Sequence, residues 1–338
     1  MGKPVIELEG LRKEYKPPFK WKWRKVAPWW VTLYELLKRP KIAAVDGITL
    51  DVHEGESFGF LGPNGAGKTT TIRVLMGLIK ASGGRAKIFG EPVPSQAAQR
   101  RIGFLPEAPY FYDYLNVEEL LDLVGRLFGQ GQRARRKRAD QLIEQVGLGH
   151  ARRQPMKKFS KGMLQRAGLA QALMNDPDLV VFDEPMSGLD PVGRKEVRDI
   201  IQSLRDRGKT VFFSSHILAD VEMICDRVAI IGHGRLHEVG TIRELVRDSV
   251  AATEVVLHLD GEIADEVVGR LAEVGQSHRK REDDLYVVLG PEADVGAFLS
   301  ESISAGLKIV SVTPRHETLE DVFIRSAASI ETEEDGES

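Results

Sequence analysis

The segment Gly62, Pro63, Asn64, Gly65, Ala66, Gly67, Lys68, Thr69 follows the pattern G-x-x-x-x-G-K-[ST], and its flanks restrict the fold more than any other feature of the chain. Before it, Phe58-Gly-Phe-Leu61 is near-continuously apolar, as expected of a strand covered on both faces. After it, Ile72, Leu75, Met76 and Ile79 recur at i, i+3, i+4 and i+7, which predicts a helix with one buried stripe. A glycine-rich turn between a buried strand and a helix lets backbone N–H groups curl around phosphate oxygens. The helix N-terminus favours the anion, Lys68 reaches the terminal phosphates, and the Thr69 hydroxyl is available to Mg²⁺. Each part answers a polyphosphate.

Such a site also needs a carboxylate for the metal at the mouth of a neighbouring strand. Asp183 and Glu184 directly follow the apolar run Leu179-Val-Val-Phe182. Two adjacent acids can divide the work, Asp183 helping to hold Mg²⁺ and Glu184 polarising an attacking water, although a surface salt-bridge pair would look the same. Ser160-Lys-Gly162 precedes a stretch on which Met163, Ala167, Ala170 and Met174 share a face, so Ser160 also reads as a plain N-cap. His216 follows the apolar strand beginning at Thr210 and by itself reads as a surface imidazole.

From 42 to 240 short apolar runs alternate with helical patterns, including Val197, Ile200, Ile201 and Leu204, which predicts strands joined by crossover helices in a mostly parallel sheet. Residues 108–175 read as a helical subdomain within it, and the run Arg133, Arg135, Arg136, Lys137, Arg138 as a solvated helix face. Residues 241–252 read as a linker. From 253 to 328 the pattern changes to a second, small α/β domain with strands near 255–259, 285–289 and 309–312 and helical stretches over 262–274 and 293–305. Residues 329–338 form an acidic tail of disordered type.

The chain has 338 residues and a net charge of -3, but that balance hides a segregation. Residues 16–41 hold eight Lys and Arg against Glu35 alone, together with all four tryptophans, Trp21, Trp23, Trp29 and Trp30. Three partners suit this segment: an anionic membrane surface or permease, nucleic acid, or the protein's own core. Cys225 is the one cysteine, so no internal disulfide forms, and no apolar run is long enough to span a membrane or to act as a secretory signal. The cytoplasm is the expected location.

Taken together, the order of these elements resembles the ATP-binding cassette family, specifically the detached ATP-binding subunit of an ABC transporter, over about residues 5–240. In that resemblance Gly62 to Thr70 is the Walker A loop and Asp183-Glu184 is Walker B with the catalytic glutamate. Ser187-Gly-Leu-Asp190 is the D-loop, and His216 the switch histidine. Phe159-Ser-Lys-Gly-Met163 stands at the signature, keeping Ser160 and Gly162, and Glu107 stands where a glutamine is usual; both departures look like the subfamily serving ABC-2-type exporters. Tyr15 matches the aromatic that stacks on adenine. The resemblance implies a P-loop NTPase cassette that binds ATP and Mg²⁺, with Lys68, Glu184 and His216 catalytic and Thr69 and Asp183 on the metal. Thr70, Glu107, Ser160, Gly162 and Asp190 complete the nucleotide contacts it implies.

The resemblance further implies a head-to-tail homodimer, separate transmembrane permease subunits, and a peripheral place on the inner face of the cell membrane. The small C-terminal domain resembles an accessory module of the same subfamily, from which dimer support or regulation is expected. The rival is a soluble ABC ATPase acting on nucleic acid or ribosomes. One cassette without sustained heptads disfavours it, so nucleic acid is the less expected partner.

Overall fold

In the computed structural model the chain is described over residues 2–16, 41–246, 250–259, 269, 275–281, 283–316 and 318–323. Most of the basic, Trp-bearing insertion, the 262–274 stretch and the acidic tail therefore lie outside the described residues. The chain divides into two units, 1–242 (with 326–338) and 243–325.

The first unit begins with β1 (Pro4–Tyr15), β2 (Ile42–His53) and β3 (Ser57–Leu61), then α1 (Lys68–Leu75), β4 (Gly83–Ile88), β5 (Glu91–Pro92) and β6 (Ile102–Leu105). It continues with α2 (Val117–Leu127), α3 (Gln132–Gln145), α4 (Lys161–Ala172), β7 (Leu179–Asp183) and α5 (Pro191–Asp206). Last come β8 (Thr210–Ser215), α6 (Leu218–Ile224), β9 (Arg227–Gly232) and β10 (Arg235–Thr241). Two sheets result. One is antiparallel in the order β2-β1-β4-β5; the other runs β10-β9-β3-β8-β7-β6 and is parallel apart from the β9–β10 hairpin.

Every residue of β3, β7 and β8 is buried, which explains their unbroken apolar sequence. Ile72, Val74 and Leu75 of α1 share one core with Ile6, Leu8 and Ile48 of the antiparallel sheet and with Phe58, Phe60 and Phe212 of the parallel one. At roughly 1.5–3 kcal/mol for each fully buried large apolar side chain, this core holds the loop before α1 in place. The helix is shorter than its periodicity predicts. Met76 caps it and Gly77 turns at φ +70, so Ile79 packs on the core from outside the helix.

Between β6 and β7 the chain is helical. A capping box starts α2: Asn116 accepts from Glu119 N while the Glu119 carboxylate accepts from Asn116 N. The arginine run on α3 is only partly a solvated face. Arg133, Arg136 and Lys137 are exposed, but Arg135 donates to Asp122 and Gln130 O, and Arg138 to Leu173 O. Burial pushes the Arg138 guanidinium below its usual range.

In the second unit β11 (Val250–His258), β12 (Ser277–Arg281), β13 (Asp284–Leu289) and β14 (Lys308–His316) form an antiparallel sheet in the order β12-β13-β11-β14. α7 (Val295–Ser304) lies in sequence between β13 and β14. Val255, Leu257, Leu285, Val287 and Leu289 alternate onto one face and pack with Phe298 and Leu307. The segment read as a linker contains a short helix, Ile242–Leu245, and the first residues of β11. Strand β12 escapes the sequence reading because all five of its residues are exposed. Among the described residues no helix is long and apolar enough to cross a membrane.

Candidate active site

Strand β3 delivers the chain to a loop that only glycine can make. A Cβ on Gly62 would lie 2.5 Å from Ile231 O of β9, and one on Gly67, which sits at φ +102, would lie 2.4 Å from Ala44 O of β2. The loop is thus pinched between two strands. It opens into α1, where Thr71 Oγ1 donates to Gly67 O at 3.0 Å.

Lys68 is buried and its ammonium faces back over the loop. Nζ donates to Gly62 O at 2.7 Å and to Pro63 O at 3.2 Å, and lies 3.1 Å from Glu184 Oε1. Across from it, the end of β7 places Asp183 beneath Thr69. Asp183 Oδ1 accepts from Thr69 Oγ1 at 3.2 Å and from Ser214 Oγ at 2.8 Å. Burial raises the Asp183 carboxyl above the usual carboxylate range, the charges of Glu107 and Glu184 adding to it, while the Ser214 and Thr69 hydrogen bonds pull the other way.

Glu184 occupies the left-handed region at φ +49, a conformation that costs a non-glycine residue of order 1–3 kcal/mol and persists only where the surroundings impose it. Ser214 Oγ supplies part of that restraint by accepting from Glu184 N at 3.0 Å. Both carboxylate oxygens have a neighbour: His216 Nδ1 lies 2.8 Å from Oε2, and the Lys68 ammonium 3.1 Å from Oε1. Among the described residues the buried Oε1 has no hydrogen-bond partner, the Lys68 ammonium meeting it as an ion pair.

A cavity of about 380 Å³ opens over these groups. Of the residues predicted from sequence, Pro63, Asn64, Gly65, Gly67, Lys68, Thr69, Thr70, Glu107, Glu184 and His216 line it. Gly62, Ala66 and Asp183 are buried and are not among the lining residues. Tyr15, Ser160, Gly162 and Asp190 do not line it. Tyr15 is 40% exposed, with the Lys13 ammonium 5.2 Å from its ring centre. Ser160 caps α4, accepting from Met163 N at 3.3 Å, and Asp190 caps α5, accepting from Gly193 N at 2.9 Å. The N-cap reading of Ser160 thus describes its bonding within one chain.

Of the lining residues, Ala44 carries no assigned role in the sequence reading, and Ser187, the first residue of the D-loop, joins the lining. Ser214 escapes the sequence reading as well. Its only signal is a hydroxyl two residues before His216, and it takes the pairing of β7 with β8, Asp183 opposite Ser214, to give it a partner.

The geometry has the parts a nucleoside triphosphate requires: a loop of amides, an ammonium, two hydroxyls and an acid pair. Comparison with known proteins agrees. The family model "ABC transporter" matches residues 45–187. An uncharacterized ABC transporter ATP-binding protein of Synechocystis sp. is 45% identical over 84% of this chain and 78% of its own length. The bacitracin transport ATP-binding protein of Bacillus licheniformis is 37% identical over 83% of this chain and 92% of its own. In fold, a dimeric ATP-binding cassette in a post-hydrolysis state bound to ADP and Pi superposes with a TM-score of 0.60 at 22% identity, over 70% of this chain and 99% of that one. The chain belongs to the ABC transporter family, as its ATP-binding subunit and ATPase.

Proposed function

We propose that this ATPase works as a head-to-tail pair on transmembrane permease subunits, at the cytoplasmic face of a membrane, and drives export, with Glu184 as the group that polarises the attacking water. The observation that carries the proposal is the Glu184 carboxylate. One oxygen is fixed by His216; the other is buried, ion-paired with Lys68 at 3.1 Å and, among the described residues, without a hydrogen-bond partner. A carboxylate held this way accepts a proton from water without first being reoriented. Lys68, bonded to Gly62 O and Pro63 O, has only to redirect its ammonium to meet phosphate. Thr69 and Asp183 would hold Mg²⁺, since their all-oxygen donors suit that ion. Bound there, the ion supplies further charge neutralisation to the phosphates.

Pairing is supported by what the cavity lacks. Ser160 and Gly162 do not line it, which fits a second copy presenting them to the nucleotide. For the permease, the loop after Glu107 carries Tyr110, Tyr112 and Tyr114, exposed at 99%, 61% and 72%, with the last two rings 5.7 Å apart. Exposed aromatics grouped beside a site residue suit burial against a partner. Transport is supported by the similarity to a bacitracin transport protein, and its outward direction by the S-K-G-M signature. In the test, Glu184→Gln should bind Mg-ATP within about threefold of wild type and accumulate as a dimer, while turnover falls at least about a hundredfold. Turnover near wild type would overturn the assignment.

A further inference from the structure

The first turns of α4 lie along the segment that follows Glu184, and three residues define the match. Lys161 reaches across Gly188, where its Nζ occupies the space a Cβ would need. Gly162 faces Leu189, whose Cδ2 would lie 3.6 Å from an added Cβ. Gln165 Nε2 donates to Pro185 O at 3.0 Å. Lys161 is exposed and Gly162 half-buried, whereas Gln165 is 2% exposed and its amide is the buried member of the set.

That hydrogen bond lands one residue after a backbone that needs holding. Glu184 sits at φ +49, with its N–H bonded to Ser214 Oγ and its C=O accepting from Ser187 N at 3.1 Å. The Gln165 bond fixes the next carbonyl, so the left-handed turn is gripped from the β8 side by Ser214 and from the α4 side by Gln165. Ser160 caps the same helix five residues earlier. One helix therefore carries the signature serine at its start and a restraint on the hydrolytic segment little more than a turn further on.

We infer that Gln165 is a positioning residue for ATP hydrolysis: its buried amide, bonded to Pro185 O, sets the orientation of Glu184 and ties it to the helix that Ser160 caps. This rests on Glu184 being the water-polarising carboxylate. Gln165 touches no residue of the cavity lining through this bond, so it acts on turnover rather than on nucleotide capture.

The test uses the full-length chain and Mg-ATP. Gln165→Met keeps the side-chain volume and removes the donor. Its kcat should fall about ten- to hundredfold while KM and the ATP dissociation constant stay within about twofold. Gln165→Glu serves as a second variant. Protonated, its carboxyl donates to Pro185 O; ionised, it sets two acceptors face to face, so the ratio of its kcat to wild type should rise as pH is lowered. If Gln165→Met does not fold, this ratio decides, and a ratio that does not change with pH overturns the inference. So does a kcat within about threefold of wild type in Gln165→Met, or equal losses in kcat and ATP affinity, which mark a general structural role. Glu184→Gln, run alongside, separates the two readings. If it collapses turnover while Gln165→Met does not, only Gln165 loses its role; if it does not collapse turnover, the assignment of Glu184 fails first.

Discussion

The polar groups at the end of β7 and at the start of α4 are built to different standards. Asp183 and Glu184 are buried, and each is fixed by side chains from other elements: Thr69, Ser214 and His216. Ser160 is exposed, and among the described residues its hydroxyl is bonded within its own turn, to Met163 N. A buried polar group without its partners is costly, so the β7 end cannot rearrange cheaply, whereas the α4 end loses little by taking a new partner. The contrast divides the chemistry into one half completed inside the chain and another that offers its groups outward.

The largest effect should come from the interior half. Gly67→Ala brings a Cβ to 2.4 Å from Ala44 O at a residue held at φ +102, and the loop cannot keep its shape. Titration with Mg-ATP should show affinity reduced at least about tenfold, and thermal unfolding should show the chain destabilised by about 1–3 kcal/mol. Gly162→Ala is the matched control on the exterior half. Its new Cβ meets only Leu189 Cδ2, at 3.6 Å, so unfolding should stay close to wild type. Equal destabilisation by both substitutions would erase the contrast.

A smaller effect is expected from Ser160→Ala. Loss of the cap costs about 1 kcal/mol, and ATP affinity of the chain below its dimerisation range should stay within about twofold. Under the proposed pairing, in which the hydroxyl meets a nucleotide held by a second copy, turnover should fall about tenfold or more. Measuring affinity and turnover on one preparation sharpens the comparison. If affinity drops as far as turnover, Ser160 belongs to the chain's own cavity and the division is wrong.

The interior half is the more legible in sequence, for a physical reason. Strands buried on both faces are written as unbroken apolar runs, and the proposed functional residues sit where those runs stop, so Gly62 and Asp183 announce themselves. Contacts made across the sheet cannot be read this way. Ser214 gains its role from register with Asp183, and Gln165 from the approach of α4 to Pro185. Periodicity misleads where a chain keeps its apolar spacing after its helix has ended. Ile79 continues the stripe, but Gly77 has already turned the backbone. It is silent where a strand exposes all its side chains, as β12 does.

The smallest expected effect concerns protons at Asp183, and it bears on whether the interior half is truly closed. Burial holds the folded carboxyl above its ordinary value, against the opposing hydrogen bonds from Ser214 and Thr69. Between the ordinary value and the raised one, the folded chain keeps a proton that the unfolded chain has already released. The unfolded state therefore binds fewer protons there, and the stability of the nucleotide-free chain must fall as pH rises through that window. Asp183→Asn keeps an acceptor for both hydroxyls and cannot ionise, so its urea midpoint should change less with pH over the same range. In the proposed Mg²⁺ site Asp183 serves as the ionised carboxylate, so apparent metal affinity should weaken as pH falls into the window, with proton release on binding. Identical pH profiles for the two chains would mean that water reaches Asp183 freely, and that the end of β7 is no more enclosed than the start of α4.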